Sequence, residues 1–143
     1  MFIDRVAILI KKAALEFEKM SNPVLLEYGL TGAQYKLLKY LFAHPAGSVR
    51  QVDMERYYSM THPTAIGLLE QLEKKGYIQR SVNPSDKRSR VITLTDKAYE
   101  MQEILTKAGD KLEEKFTAKL TESERKQLIT LLQKLMGLDK KDE

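Results

Sequence analysis

The stretch from Thr61 to Thr95, THPTAIGLLEQLEKKGYIQRSVNPSDKRSRVITLT, decides the fold. Thr61 is a favourable N-cap, and Pro63 is tolerated in a first helical turn because no intrahelical donor is lost there. Apolar residues then recur with helical spacing, at Ala65, Leu68, Leu69 and Leu72. Gly76 is placed to end the helix in a left-handed conformation. The pattern therefore predicts an amphipathic helix from Thr61 to Gly76.

Two β-strands are predicted directly after this helix, at Tyr77–Val82 and Arg90–Leu94. The segment between them, Asn83-Pro84-Ser85-Asp86, contains residues that favour a tight turn. A helix followed by a hairpin is typical of a winged helix-turn-helix. In that arrangement the helix enters the major groove of DNA, and the hairpin tip reaches the phosphates or the minor groove.

Positive charge is concentrated in the same region. The seventeen residues from Lys74 to Arg90 carry a net charge of +5, whereas the whole chain carries +4. The cations are Lys74, Lys75, Arg80, Lys87, Arg88 and Arg90. A basic patch on an otherwise balanced protein indicates a polyanionic partner. A run of charged residues alone is more often an ordinary solvated surface. Here, however, the amphipathic helix that precedes the run favours nucleic acid as the partner.

The rest of the chain is predicted to be helical. Apolar spacing indicates a helix over residues 2–20, which Ser21-Asn22-Pro23 interrupts. Capping-box patterns begin three further helices, at Thr31–Gln34, Ser48–Gln51 and Thr121–Glu124. Thr95 or Asp96 caps a long helix whose apolar stripe continues to Leu120. The predicted fold is mainly α, with a winged helix-turn-helix of three helices and a two-stranded β wing.

The terminal segments indicate self-association. A single domain, 1–143, would contain the DNA-binding region at 31–95, and the winged helix is complete without residues 1–22 and 96–143. The apolar stripes of these segments must be buried somewhere. A larger monomeric core is one alternative. A homodimer is favoured, because most duplex-binding helix-turn-helix proteins read a palindrome with two-fold symmetry. The expected interface comprises residues 2–20 and 100–138.

Several classes of function are disfavoured by composition. The chain has no cysteine and two histidines, so neither a metal site nor a cofactor is expected. The early apolar run Val6–Ile10 is too short for a signal peptide or a membrane span, and a cytoplasmic location with no membrane partner is expected. A Gly-rich phosphate loop, a nucleophile elbow and an acid–base pair are all missing, so the chain is not predicted to be an enzyme.

Three segments resemble the MarR family of bacterial transcription regulators. They are Glu27–Thr31 with Gln34, Thr61–Ile78, and Asn83–Thr95. The resemblance implies a homodimeric repressor of transcription that binds double-stranded DNA. It also implies a small aromatic or phenolic effector, bound between the winged domain and the dimerisation helices. One departure is Glu55, which stands where the family often has a small alanine.

The predicted DNA-binding residues fall into two groups. The recognition-helix group is Ser59, Thr61, His62, Pro63, Thr64, Gly67 and Gln71, and the wing group is Asp86, Lys87, Arg88, Ser89 and Arg90. Gly67 would let the helix backbone approach DNA closely. The resemblance implies that Arg88 is the wing-tip arginine and that Asp86 orients it. The alternative hypothesis is a winged-helix module that binds other proteins and has no specific operator.

Overall fold

The computed structural model describes residues 5–138, apart from the side chains of residues 87–89. Within this range the chain forms six α-helices and three β-strands. They are α1 (Val6–Leu26), α2 (Gly32–Phe42), β1 (Val49–Arg50), α3 (Gln51–Tyr57), α4 (His62–Lys74), β2 (Ile78–Asn83), β3 (Asp86–Leu94), α5 (Asp96–Phe116) and α6 (Glu122–Leu135). The chain divides into two compact units, and the boundary falls within α5, after Ala108.

Threonine caps begin several helices where the sequence predicted them. The Thr31 hydroxyl accepts a hydrogen bond from the Gln34 backbone N–H (3.2 Å), and the Gln34 side chain accepts one from the Thr31 N–H (3.2 Å). Thr121 and Glu124 form the same reciprocal pair at the start of α6. Thr95 caps α5. These three predictions are confirmed, because a capping box depends only on residues three positions apart.

Helix α1 does not end at Ser21-Asn22-Pro23, so the predicted interruption is wrong. The helix continues through Pro23 to Leu26. A proline inside a helix costs about 3 kcal/mol. Burial of Leu25, two residues further along, contributes roughly 1.5–3 kcal/mol and offsets most of that cost. Tertiary packing therefore overrides the local signal.

The predicted capping box at Ser48 is also wrong. Val49 and Arg50 form strand β1 instead, and α3 begins at Gln51. The Asp53 carboxylate accepts a hydrogen bond from the Arg50 N–H (2.9 Å), while the Ser48 hydroxyl donates to the Pro45 carbonyl (2.6 Å). Val49 is buried and pairs with Ile92, and this non-local pairing determines where the helix can start.

The predicted wing hairpin is confirmed, and a short strand is added to it. Strands β2 and β3 pair antiparallel, with Ile78 opposite Leu94 and Asn83 opposite Asp86, so Pro84 and Ser85 form the turn. Strand β1 pairs with the other edge of β3, which gives a three-stranded sheet in the order β1-β3-β2. Strand β3 is therefore paired with a neighbouring strand on both sides at Val91 and Ile92.

The core of the first unit draws residues from α1 to α4, from the sheet and from the first part of α5. Its fully buried large side chains are Leu25, Leu30, Leu37, Leu38, Met54, Leu69, Leu72, Ile78, Ile92 and Leu105. Leu69 and Leu72 belong to the predicted inward stripe of α4, and Ile78 and Ile92 are the inward residues of paired strands. The core therefore fixes which face of α4 points outward.

Gly76 has a backbone φ of +83°, as the predicted helix stop requires. We expect Gly76→Ala to lower the free energy of unfolding by about 1–2 kcal/mol, because an L side chain is strained in this conformation. Gly67 is the matched control. It lies inside α4, and a Cβ added there meets no atom within 4 Å. Gly67→Ala should stabilise the protein by roughly 0.5–1 kcal/mol.

Urea denaturation at one fixed protein concentration measures both changes. Equal effects of the two substitutions would contradict this account of Gly76.

Candidate nucleic-acid interface

The first turn of α4 forms an exposed polar surface. The Thr61 hydroxyl accepts a hydrogen bond from the Thr64 backbone N–H (3.3 Å) and donates one to the Thr64 hydroxyl (2.9 Å). Thr61, His62, Pro63 and Thr64 are all exposed. Unpaired backbone N–H groups and hydroxyls at a helix N-terminus suit phosphate oxygens and base edges.

The turn before α4 adopts an unusual backbone conformation. Ser59 has φ +52°, in the left-handed region that residues other than glycine seldom occupy. The Met60 N–H donates to the Glu55 carbonyl (3.0 Å), which ties this turn to α3. Ser59 is exposed and lies just before the first turn of α4. Together with the four predicted recognition residues of that turn, Thr61 to Thr64, it forms one short exposed segment.

Gln71 lies further along α4 and has a structural contact. Its side-chain oxygen accepts a hydrogen bond from the Gln34 side-chain amide (2.6 Å). The Gln34 oxygen in turn accepts a hydrogen bond from the Lys75 ammonium (2.7 Å), which also donates to the Gly29 carbonyl. Gln71 therefore connects the recognition helix to α2, and its own side-chain N–H₂ is the part left for a ligand. Gly67, between this contact and the first turn, is half-buried.

Two cations of the basic run are occupied within the fold. Lys75 belongs to the network around Gln34, and Arg80 forms an ion pair with Glu73 (3.1 Å). The hydrogen bond from the Arg80 guanidinium holds the pKa of the Glu73 carboxyl below its usual value. Lys74 and Arg90 are exposed. The net charge of the run therefore overstates the number of cations available to a polyanion.

The turn of the wing begins at an asparagine. The Asn83 side chain accepts a hydrogen bond from the Ser85 N–H (2.9 Å), as expected for an asparagine that begins a turn. The side chains of Lys87, Arg88 and Ser89 lie outside the described residues, and so does the predicted orientation of Arg88 by Asp86. Residues 87–90 follow the turn on strand β3.

Arg50 is a cation that the sequence analysis missed. It lies on β1, and its guanidinium donates to the Asp53 carboxylate (2.8 Å). The pKa of Arg50 is raised chiefly by this hydrogen bond, and to a smaller extent by the charge of Asp86 on the wing. For Asp53, burial raises the pKa, but the bonds from Arg50 outweigh it and the net shift is downward. Arg50 therefore lies beside the wing as one half of an ion pair with Asp53. Its position depends on strand pairing, which the sequence pattern did not reveal.

His62 contacts two residues of α3. Its Nδ1 lies 2.9 Å from Oε2 of Glu55, and the Gln51 side-chain nitrogen lies 3.2 Å from that same oxygen. The His62 side chain is 66% exposed, whereas the Glu55 side chain is only 16% exposed. In the sequence, Glu55 stands out as a departure from the family pattern, but nothing there connects it to His62. An ionic or hydrogen-bonded contact across a turn leaves no spacing signal.

Other kinds of site find no support in the described part of the chain. Residues 5–138 include no group of three or more histidine, aspartate or glutamate side chains that could hold a metal ion. Within the same range, none of the helices combines the length and the apolar character needed to cross a lipid bilayer.

The geometry defines a class of protein, a winged helix-turn-helix with an exposed recognition-helix N-terminus. Comparison with known proteins shows which family this chain resembles. Residues 30–89 match the model of the MarR family. The multiple antibiotic resistance protein MarR of Salmonella typhimurium is 29% identical over 120 residues, which are 83% of this chain and 82% of that protein.

Solved structures agree with this match. The MepR–DNA complex of S. aureus has a TM-score of 0.82 and 28% identity, covering 93% of this chain and 97% of that one. A mutant MarR from E. coli in complex with operator DNA has a TM-score of 0.81 and 26% identity, covering 93% and 94%. Residues 30–89 thus match the MarR family, and the resemblance predicted from the motifs is confirmed. Members of this family are transcriptional regulators and not enzymes.

Thr64 offers a direct test of the recognition surface. We expect Thr64→Val to weaken binding to a preferred duplex by about 1–3 kcal/mol, because it removes a hydroxyl while keeping the branched shape. The preferred duplex is first selected from a random-sequence library, and fluorescence anisotropy then measures affinity for it and for a scrambled duplex. An unchanged ratio of the two affinities would remove Thr64 from the recognition surface.

Proposed function

We propose that this protein is a homodimeric repressor of transcription that binds a palindromic operator in double-stranded DNA. The observation that carries the proposal is the exposed first turn of α4, with its two threonine hydroxyls, next to an antiparallel wing in a MarR-family domain. Relatives of the same fold are known in complex with DNA. A regulator of transcription acts on the chromosome, so the location proposed is the cytoplasm.

DNA recognition is divided between α4 and the wing. Residues Ser59, Thr61, His62, Pro63, Thr64 and Gly67 would face the major groove, with Gln71 contributing its amide. The helix start supplies N–H and hydroxyl donors, which position the helix on phosphates and base edges. On the wing, Asp86, Lys87, Arg88, Ser89 and Arg90 would follow the backbone or enter the minor groove, where negative potential attracts arginine.

Dimerisation is proposed from exposed apolar side chains on the terminal helices. They include Val6, Leu9, Ile10 and Leu15 on α1, and Leu128, Leu131, Leu135 and Met136 on or directly after α6. Residues 2–4 of the predicted interface lie outside the described range. Apolar stripes of this kind are stable in water only when a partner covers them, and a second copy supplies a matching stripe.

A charge on α6 should disrupt the dimer. Leu131 is 62% exposed, so Leu131→Lys leaves the monomer fold intact while placing a cation in the proposed interface. We expect the variant to be monomeric by light scattering at micromolar concentration, where the wild type is dimeric. The control is Leu26→Lys, because Leu26 is 71% exposed but lies outside residues 2–20 and 100–138. A wild-type monomer, or a dimeric Leu131→Lys variant, would contradict the proposal.

A small-molecule effector is proposed on the basis of the family resemblance. It would be a small aromatic or phenolic molecule that binds between the winged domain and the dimerisation helices. By favouring one spacing of the two recognition helices, it would change affinity for an operator in which the half-sites are fixed one or more helical turns apart.

The wing is tested by the salt dependence of binding. If Arg88 enters the minor groove, Arg88→Ala should cost roughly 1–3 kcal/mol in operator affinity and reduce the slope of log K against log salt by about one unit. Lys87→Ala should cost less, since neighbouring cations can replace a mobile phosphate contact. Lys39→Ala is a control of equal charge change, because Lys39 is exposed on α2 and lies outside both the predicted DNA-binding residues and the proposed dimer interface.

The same titrations separate the two functions considered for this fold. A protein-interaction module without an operator would show no preference for any duplex and no loss of affinity specific to Arg88. Wild-type operator affinity in Arg88→Ala at physiological salt would show that the wing is only a solvated surface.

A further inference from the structure

His62 is held against α3 by one of its two ring nitrogens. Nδ1 lies 2.9 Å from the Oε2 atom of Glu55. The Gln51 side-chain nitrogen lies 3.2 Å from Oε2 and 3.3 Å from Nδ1, so three polar groups meet at one point. Gln51 is 6% exposed, and its amide cannot turn freely toward water. Among the described residues Nε2 has no hydrogen-bond partner, and the ring is largely exposed.

The protons in this cluster follow from simple donor and acceptor rules. An ionised carboxylate can only accept hydrogen bonds, so the contact between Glu55 and Nδ1 requires a proton on Nδ1. The Gln51 amide also donates to the same carboxylate oxygen. A ring nitrogen that already carries a proton cannot accept a hydrogen bond from Gln51. The Gln51 nitrogen and Nδ1 lie 3.3 Å apart because both donate to the same oxygen of Glu55. The neutral ring is therefore the Nδ1–H tautomer, and Nε2 has a free lone pair.

We propose that Glu55 is a positioning residue that fixes this tautomer, so that His62 presents a hydrogen-bond acceptor to DNA. This inference rests on the proposed function. In the major groove, the groups that donate to an acceptor are the exocyclic amino groups of adenine (N6) and cytosine (N4). Phosphate oxygens only accept and cannot pair with a neutral Nε2. His62 would therefore read an adenine or a cytosine, and it would discriminate against guanine and thymine at that position.

The surroundings of His62 complement this role. The hydroxyls of Thr61 and Thr64, on the same turn, can each donate or accept, so they do not distinguish an amino group from a carbonyl oxygen on a base edge. A ring nitrogen without a proton can only accept. An Nε2 held in place by the Glu55 carboxylate, whose side chain is only 16% exposed, therefore adds a selectivity that the hydroxyls of the turn do not provide.

The tautomer can be measured directly by NMR, using long-range ¹H–¹⁵N correlations of the two histidines at a pH where both rings are neutral. His44 is the internal reference, because its Nδ1 donates to the Tyr40 carbonyl (2.6 Å) and must carry the proton. We expect both wild-type rings to be Nδ1–H. In Glu55→Ala the Gln51 amide becomes the neighbour of Nδ1 and donates to it, so His62 should switch to Nε2–H while His44 stays unchanged.

The control for this measurement is Asp53→Ala, which removes another carboxylate of α3 that is bonded to Arg50 and not to His62. It should leave the His62 tautomer as in the wild type. A wild-type His62 with its proton on Nε2, or an unchanged tautomer in Glu55→Ala, would overturn the inference at its first step.

Base reading is tested on a duplex selected by the wild type from a random library. Each adenine or cytosine of one half-site is replaced by purine or 2-pyrimidinone, which lack the exocyclic amino group. One replacement should weaken wild-type binding by about 5- to 150-fold, the range for loss of a specific base contact. The same replacement should hardly change the affinity of the His62→Ala and Glu55→Ala variants for the duplex. It should weaken binding by the Asp53→Ala variant as much as it weakens binding by the wild type.

Two outcomes would be read differently. A library that yields no preferred duplex would refute the proposed function. A preferred duplex whose amino groups matter equally to the wild type and to Glu55→Ala would refute the role of Glu55 alone. In the double variant Glu55→Ala/His62→Ala, Glu55→Ala should add no further loss of affinity, because the carboxylate acts through the ring.

Discussion

The orientation of the recognition helix depends on one buried amide, the side chain of Gln34. Its oxygen receives the Thr31 N–H and the Lys75 ammonium, and its nitrogen donates to Gln71. Gln34 is only 3% exposed, so removing the Gln71 side chain would leave its buried N–H₂ group without this acceptor, at a cost of about 1–3 kcal/mol. The group that caps α2 therefore also anchors the end of α4. Rotation of α4 about its axis would break this network and expose Leu69 and Leu72 at the same time.

The sequence correctly predicted the helix caps, the helix stop and the turn, which are features that neighbouring residues determine. The Thr31 and Thr121 capping boxes, the Gly76 stop and the turn at Asn83 all lie where the pattern placed them, because each depends on residues within a few positions of one another. The continuation of α1 past Pro23 and the two-residue strand β1 were not predictable in this way. Both depend on burial against distant residues, and two residues are too few to show a periodicity.

The same distinction applies to the candidate site. The sequence pattern predicts the exposed residues at the start of α4, and the structure places them together on one turn. The pattern also suggests that every cation between Lys74 and Arg90 is available to DNA. Two of these cations have partners within the fold that the pattern could not identify. Arg80 is paired with Glu73, which precedes the run, and Lys75 with Gln34, which lies far from it in sequence. Strand pairing places Arg50 beside the wing, but it too is paired, with Asp53. Charge counted along a chain is thus a poor measure of charge presented to DNA.

Affinity and selectivity are therefore expected to come from different groups. Exposed cations such as Lys74 and Arg90 interact with any polyanion, and their contribution weakens as salt screens it. Selectivity requires groups whose direction is fixed, because a mobile side chain can satisfy several bases equally well. The hydroxyls of Thr61 and Thr64 are fixed by their mutual hydrogen bond, and the His62 ring is fixed by Glu55. The His62 position depends on the contact between α3 and α4, which the bond from the Met60 N–H to the Glu55 carbonyl supports. The buried network at the far end of α4 fixes that helix against α2. Residues such as Gln34, which is not among the predicted DNA contacts, therefore help to determine which bases the first turn can read.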